Sequence, residues 1–533
     1  IRDGEKILVS QWEGPELEAT GFLKEDILGV TQLDKYEMIL NRIKEDTGEI
    51  VDLDKSPLDD KDVMKLFQEG ANSDIFHFGS AGLTQFCREL KPENINDLIA
   101  ANSLYRPGPI EQGFHKKYVK RKNGLEEVTH PPHCEHITKD SYGVICYQEQ
   151  IMLICQHIGG LTLAEADSIR KSMVKKDLKS IGKFVDQFKE NGMKVWKIPK
   201  DEIDELWDSL LSFAKYAFNR SHAAAYSITA YYGQWLKLHY PLQFWATAFS
   251  FAKDEDYPVY LAEIYNNGTI NMHPPHINIS EDSVVADKDT GDMYWPLSSI
   301  KGCGVIAYAQ ILRIRDEVGG FTSFENFLKN NLWKANKKKG IEGSKVNKTV
   351  IEALIASGAF DILEDLESPS ERLRLLQYYR EKYKVKVDKD KDVFNTDNVK
   401  EDWWWSLKQK ELSGVAKFDF HKIAAKNFGL PYIDEPIDIE LMGDGDNANV
   451  IGIVTDIKVR KTKKGDKMAS LVLEYNFQSI NVTIWPSDYK QNKNMIDNSL
   501  GKIMVVTGQV KFDSYKGCNT VYSSQDGIID VLE

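Results

Sequence analysis

The apolar pattern of this chain changes period at Asn449, and the change limits what the chain can become. Upstream, apolar residues recur three and four apart, the spacing of one helix face. Downstream they alternate, the spacing of one strand face. Strands are expected at 450–459, 468–475, 479–485, 502–512 and 520–531, with a helical insert near 486–495. Lys458, Arg460, Lys461, Lys463, Lys464 and Lys467 surround a turn at Gly465 in the first hairpin. Five strands with a basic hairpin suit an OB-type barrel, an architecture that often binds single strands; a generic small barrel has the same strand count. At 533 residues two to four domains are expected, so the chain is read as a multidomain α+β protein.

Charge and cysteine usage exclude some classes of function. A net charge of −13 argues against a surface that coats nucleic acid everywhere, and leaves local basic grooves open. No apolar run reaches the length of a membrane span and no signal-like start is present, so no membrane partner is expected. Six scattered cysteines point to a reducing, cytoplasmic setting. Ile1 stands where an initiator methionine would, so the chain reads as a piece of something longer.

The densest chemistry lies between Ser141 and Tyr240. A turn at Tyr142-Gly143 feeds Tyr147-Gln148-Glu149-Gln150 into a helix that stops at Gly159-Gly160. Thr162 and Glu165 form a capping box for a second helix carrying Arg170, Lys171, Lys175 and Lys176. Phe218-Asn219-Arg220-Ser221-His222 opens a long helix, with Ser221 as its expected cap and Pro241 at its end. Free N–H groups at two helix starts, beside a cationic helix, suit a polyphosphate.

Elsewhere the signals are plainer. Gly21 to Gly29 reads as a strand with Lys24 and Asp26 on one face, followed by a helix capped by Thr31 with Leu33, Tyr36, Leu40 and Ile43 inward. Leu104-Tyr105-Arg106-Pro107-Gly108-Pro109 is a rigid turn holding an arginine. Lys116, Lys117, Lys120, Arg121 and Lys122 follow as an exposed basic face, either simply solvated or set against a phosphate backbone. His130, His133, Cys134 and His136 crowd together without the spacing of a standard zinc site. Around Lys301-Gly302-Cys303-Gly304, apolar flanks suit a helix-hairpin-helix that offers backbone N–H groups to a phosphate. Residues 364–446 read as a linker or helical segment in which Trp403, Trp404 and Trp405 cannot share one helix face, so packing at an interface is expected.

These motifs together resemble the C-terminal half of the C family of bacterial replicative DNA polymerases, the polymerase III alpha subunits. Lys24-Glu25-Asp26-Ile27-Leu28-Gly29 is similar to the family's palm strand, and Tyr105-Arg106-Pro107-Gly108-Pro109 to its arginine turn. The Tyr-Gly-Val and Tyr-Gln-Glu-Gln run, the Asp167–Arg170–Lys171 helix and Phe218 through Tyr226 resemble its fingers. The order, with the barrel last, resembles the DnaE branch more than the PolC branch. The resemblance implies a palm remnant at 1–50, mostly helical fingers at 51–255, a helix-hairpin-helix domain at 256–363, the linker segment at 364–446 and the OB-type barrel at 447–533.

It also implies template-directed transfer of a dNMP to a primer 3′-hydroxyl by two Mg²⁺ ions, with Asp26 as one metal-holding carboxylate and Lys24 beside it. Arg106, Arg170, Lys171, Asn219, Arg220, Ser221 and His222 would hold the dNTP. Lys301, Gly302, Gly304, Arg460, Lys461, Lys463, Lys464 and Lys467 would meet primer-template DNA. The chain departs from the family in having no Asp-x-Asp strand before Asp26, so a complementary N-terminal polymerase chain is an expected partner, as in a split phage-like polymerase. Ile1 is not the Cys, Ser or Thr that intein splicing needs. The nearest sliding-clamp peptide, Asp390-Lys391-Asp392-Val393-Phe394, lacks the family's glutamine, and Lys171 replaces an arginine, keeping charge but losing the planar fork. The competing reading is a non-catalytic DNA-binding module that uses only the hairpin and barrel.

Overall fold

The computed structural model describes residues 9–23, 29–174, 178–214, 216–253, 255–268, 270–334, 342–388, 392–394, 400–462, 464–513, 518–524 and 527–532. Lys24, Asp26, Lys175, Lys176, Asp390, Lys391 and Lys463 lie outside these residues. The chain divides into a small unit ending at Val51 and a large one from Asp52 onward.

The small unit contains the helices Gly14–Ala19 and Thr31–Thr47. Tyr36, Ile39 and Ile43 are buried at three- and four-residue spacing, whereas Leu33 is exposed. Thr31 is the first helical residue rather than the cap, which is Val30 with no side-chain bond to the first turn. Gly48 ends the helix at φ 78°, a backbone state that glycine enters without a Cβ clash.

The large unit begins with helices. Ile151, Ile154, Ile158, Ile169, Phe188, Trp207 and Leu210 form one core, drawn from four helices between Gln148 and Ala214. A three-stranded sheet follows, in which β1 (Met272–His273) runs parallel to β3 (Asp292–Tyr294) and β2 (Val285–Asp287) antiparallel to it. The next core gathers Ile300, Ile311, Phe324, Phe327, Leu354 and Phe360 behind the Gly302 turn.

The segment 364–446 packs in two directions. Leu375, Leu376, Tyr379 and Trp405 join the core behind the Gly302 turn, while Phe418, Phe420, Ile423 and Ile439 join the core of the strands that follow. The tryptophan run divides as its spacing predicts: Trp405 is buried in the first core, Trp404 lies against it, and Trp403 packs against the second. Arg372, 2% exposed in its side chain, locks this arrangement by a fork to Asp361 and bonds to Ala356 O and Gln409 Oε1.

The last domain is built from β4 (Asn447–Lys461), β5 (Lys467–Tyr475), β6 (Gln478–Ile484), β7 (Ile503–Asp513), β8 (Cys518–Ser523) and β9 (Ile529–Val531), with the helix Pro486–Asp497 between β6 and β7. The single strand expected at 520–531 is two, β8 and β9. Antiparallel pairs join β4 to β5, β5 to β6, β7 to β8 and β4 to β7; β6 meets β8 in parallel through only two residue pairs. The order is OB-like, with that short parallel seam its weakest side. Alternation carries the core: Ala469, Leu471, Leu473 and Tyr475 are all buried on β5.

Candidate nucleotide and nucleic-acid interface

The stretch from Ser141 is held by its own motif residues. Gly143 sits at φ 73°, and a Cβ there would fall 2.0 Å from the carbonyl oxygen of Thr129. Only glycine permits that approach. Arg121 ties the same two segments together, donating to Thr129 O at 2.9 Å, Tyr142 O at 3.1 Å and Thr129 Oγ1 at 2.7 Å. Arg121 is therefore not part of an exposed basic face; it is 6% exposed and satisfied inside. Lys122 is turned inward as well, its Nζ donating to Lys91 O at 2.9 Å and standing 3.6 Å from Asp97.

Each polar residue of Tyr147-Gln148-Glu149-Gln150 has a separate task. Gln150 accepts the Cys146 and Tyr147 N–H groups through Oε1 and donates to Ser141 Oγ, fixing the turn. The Gln148 backbone N–H donates to Phe218 O at 2.9 Å, and Phe218 N–H to Cys146 O at 3.1 Å. This one parallel bridge joins two segments seventy residues apart. The Gln148 side chain donates to Ala217 O and accepts from Arg170 Nη1 at 3.0 Å. Glu149 accepts the Arg220 N–H through both oxygens, at 3.1 and 3.0 Å.

Around this bridge the expected cations converge. Arg170 forks onto Asp167 Oδ1, and Lys171 reaches Asp167 Oδ2 at 2.7 Å, so two cations share one carboxylate. Those bonds, Lys171 first and then Arg170, hold Asp167 below the usual carboxylate range. The Arg220 guanidinium stands 5.2 Å from the centre of the Tyr147 ring and donates to Asn96 Oδ1. The Arg106 guanidinium lies 4.3 Å over the Phe218 ring, and burial pulls its affinity for protons below the ordinary arginine value. Gly108 lets the arginine turn close, since a Cβ there would meet the Tyr216 ring at 2.2 Å.

The helix starts contribute less than expected. Asn219, not Ser221, caps the helix Arg220–His239, accepting the His222 N–H at 2.7 Å. Its Arg220 N–H is taken by Glu149, so the first turn is largely self-satisfied and the side-chain cations carry the positive charge. Thr162 and Glu165 do form the expected capping box: Thr162 N–H donates to Glu165 Oε2 at 2.9 Å and Glu165 N–H to Thr162 Oγ1 at 3.3 Å. Ser221 and His222 are exposed at the helix mouth, and His222 stacks on Tyr226, whose ring also meets His77 at 4.6 Å. Gln148, Glu149, Asn96 and Tyr226 were not singled out as site residues from the sequence. The visible signal for the first two was consecutive polar side chains inside a largely buried turn.

No cluster of three or more His, Cys, Asp or Glu side chains is arranged to hold a metal among the described residues. Asp26, the expected Mg²⁺ ligand, lies outside them. Of the His130, His133, Cys134 and His136 group, His130 bonds Thr138 Oγ1, while His133 and His136 join one aromatic cluster, His133 packing on Trp196 and His136 on His157, which itself lies on Trp196. Cys134 is fully buried, and burial pushes its thiol up to about 12.

At the second region, Lys301 is exposed and Gly302 turns at φ 99°. The helix expected before the turn is a single 3₁₀ turn, Leu297–Ser299. The Lys301 N–H already donates to Leu412 O at 2.8 Å, so it is not available to a phosphate. Gly304 precedes the helix Val305–Val318, whose first residues, Val305 and Ile306, are exposed. At the third region, Arg460, Lys461, Lys464 and Lys467 are all exposed around Gly465. In the clamp-peptide candidate, Phe394 packs on Trp404 and Trp405, and Asp392 pairs with Arg380.

Among the described residues no helix is long and apolar enough to cross a membrane. Residues 32–195 match the bacterial DNA polymerase III alpha subunit finger domain, and residues 269–368 match a helix-hairpin-helix motif. The chain is 31% identical over 512 residues to the DNA polymerase III subunit alpha of Aquifex aeolicus, covering 95% of this chain and 42% of that protein. It is 36% identical over 375 residues to that of Thermus aquaticus (68% of this chain, 29% of that protein). It is 29% identical over 562 residues to that of Saccharopolyspora erythraea (98% and 45%). The chain spans less than half the length of each of these relatives. Along almost all of its length the chain is similar to bacterial DNA polymerase III alpha subunits, and it carries their finger domain together with a helix-hairpin-helix motif.

Proposed function

We propose that this chain supplies the nucleotide-holding and DNA-holding parts of a cytoplasmic replicative DNA-directed DNA polymerase. The observation that carries this reading is the convergence of Arg106, Arg170 and Arg220 on the single bridge between Tyr147 and Phe218. Three guanidiniums held on planar partners form a preorganised receptor for the triphosphate of a dNTP, because their orientation is fixed before the ligand arrives. Lys171, Asn219, Ser221 and His222 complete its rim. Mg²⁺ bound at Asp26 and at paired carboxylates would activate the primer 3′-hydroxyl and steady the leaving pyrophosphate. Those paired carboxylates come from polypeptide outside these 533 residues. The hairpin at Lys301, Gly302 and Gly304 and the barrel cations Arg460, Lys461, Lys463, Lys464 and Lys467 hold primer-template DNA. The segment 390–394 is not assigned to a sliding clamp, since its phenylalanine is already packed.

The test is primer extension with Mg²⁺ by this chain mixed with a fragment that carries the missing aspartates. Extension is expected, and Asp26→Asn should abolish it. Normal extension by that variant would remove Asp26 from the metal site. A chain that binds DNA but supports no extension with any such fragment would favour the non-catalytic binding module.

A further inference from the structure

The barrel carries an aromatic feature that the basic hairpin does not explain. Trp485 directly follows β6 and is 39% exposed, and its ring leans at 32° against that of the half-buried Tyr522 of β8, with centroids 5.2 Å apart. The pair is fixed from behind. Trp485 N–H donates to Ser523 Oγ at 3.1 Å, and the Ser523 hydroxyl bonds in turn to the buried Asp488. Lys511 Nζ lies 5.9 Å from the Tyr522 ring centre. A large ring held rigid at the surface loses little freedom on binding a partner, which is what a stacking platform needs.

Register places this pair at the hairpin end of the domain. Ile484 pairs with Ala469, so Trp485 continues past it alongside Met468, and Met468 itself faces Arg460. The residues that follow Trp485 share with Asp466 and Lys467 a groove of about 370 Å³, lined further by Pro486, Tyr489, Lys490 and Lys493. Among the described residues no ion pair engages Lys467 or Lys490, while Lys493 stands 3.4 Å from Asp497. Lys467 and Lys490 thus line a groove that starts one residue after the exposed Trp485, on the strand end that continues from the Arg460, Lys461 and Lys464 hairpin. Positive charge beside an exposed aromatic ring matches the phosphates and bases of an unpaired strand. A duplex keeps its base faces covered and offers nothing to Trp485.

We propose that Trp485 and Tyr522 form a stacking step for single-stranded DNA, with Lys467, Lys490 and Lys493 neutralising the adjoining phosphates. The proposal rests on the reading of the barrel as a DNA-holding domain and adds the residues that grip the bases. The test measures binding of the 533-residue chain to a fluorescent dT oligonucleotide and to an abasic oligonucleotide of equal length and charge. W485A/Y522A should weaken dT binding about tenfold or more, leaving abasic binding and the salt slope unchanged. K490A/K493A should weaken both ligands and lower the single-strand salt slope by about 1.4. W485F should retain most dT affinity, whereas W485L should lose it; equal loss in both would mark a structural role and overturn the step. Equal loss on dT and abasic strands, or no loss on either, would also overturn it. Displacement of dT by poly-glutamate at matched charge would overturn it in favour of an acidic protein partner. If Arg460, Lys461 and Lys464 matter while Trp485 does not, the barrel reading stands and the step falls. If neither set matters, the barrel reading itself falls.

Discussion

The finger cluster and the barrel both present cations, but they hold them in opposite ways. In the fingers every guanidinium has a partner: Arg170 has Asp167 and Gln148, Arg220 has Tyr147 and Asn96, and Arg106 has Phe218. In the barrel, Arg460, Lys461, Lys464 and Lys467 stand in solvent with no ion pair among the described residues. Partnered, oriented cations can recognise one ligand in one pose, at the cost of having been desolvated during folding. Solvated cations recognise only negative charge, and their effect is screened by salt. On the proposed function, the same residue types would serve as a receptor in one place and an electrostatic track in the other.

The sharpest way to break this comparison uses two glycines. A Cβ at Gly143 would fall 2.0 Å from Thr129 O, and one at Gly508 2.0 Å from Tyr522 O, in each case a backbone atom that cannot swing aside. Gly143→Ala should destabilise the fingers by about 3 kcal/mol or more, and Gly508→Ala the barrel by a similar amount. Whole-chain melting is not a single transition in a chain with several cores, so hydrogen exchange should be followed in each core separately. Gly143→Ala should speed exchange around Ile151 and Ile154 and leave β5 protected, with Gly508→Ala doing the reverse. Faster exchange in both cores from either change would show that the two regions do not stabilise themselves independently.

The helix-hairpin-helix region between them offers a pH probe. Burial, with smaller contributions from His273 and Arg315, lowers His276 to about 4, and its Nδ1 accepts the Asn278 N–H at 3.2 Å. The unfolded chain binds this proton near pH 6.5, so stability is full above that value and falls as pH drops toward 4, where the loss levels off. The drop should approach about 3 kcal/mol, read as a falling denaturation midpoint of the residue 269–368 region between pH 7 and 4.5. His276→Gln should flatten that slope. A wild-type slope that persists in this variant would assign the titration to another group, and a parallel drop in fingers and barrel would show the regions melting together.

How far the sequence revealed this depends on whether the information was local. The period change, the capping box at Thr162 and the bounds of the first four strands of the last domain were legible because each is set within a few residues, whereas the break between β8 and β9 was not. So was the division of the three tryptophans, which follows from 100° per residue on a helix. Arg121 was misread as exposed because its acceptors, Thr129 O and Tyr142 O, come from loops 8 and 21 residues away. Ser221 was misread as a cap because Asn219, two residues earlier, also fits and the chain's exit angle decides between them. The roles of Gln148 and Glu149 required knowing that residue 218 returns to residue 147, a contact that no spacing rule contains.

Within the fingers, the geometry of the forks can be tested apart from their charge. Arg170 uses Nε and Nη2 on Asp167 and Nη1 on Gln148, which a lysine cannot reproduce. Arg170→Lys should weaken tripolyphosphate binding by about tenfold, or about 1.4 kcal/mol, with barrel-dependent binding of a dT oligonucleotide unchanged. Calorimetric titration of tripolyphosphate and anisotropy with the oligonucleotide separate the two. Unaltered tripolyphosphate binding would mean that the fingers, like the barrel, supply charge without geometry, and the contrast would be lost.

The smallest effect is expected where the comparison is most exposed to error, at the barrel hairpin. Replacing Arg460, Lys461 and Lys464 with alanine removes three solvated charges that make no packing contact essential to the core, so stability should change by only about 0.5 kcal/mol or less at each site. Single-strand affinity should fall most at low salt, and the slope of log affinity against log salt should flatten by about 2, or about 0.7 for each lost phosphate contact. Lysine-for-arginine exchange at Arg460 should be nearly silent, in contrast with Arg170, because a track needs charge and not a fork. A strong effect of that exchange would mean that Arg460 is oriented by its ligand much as the finger arginines are oriented by the protein. The two regions would then differ in when their cations become ordered and not in what they recognise.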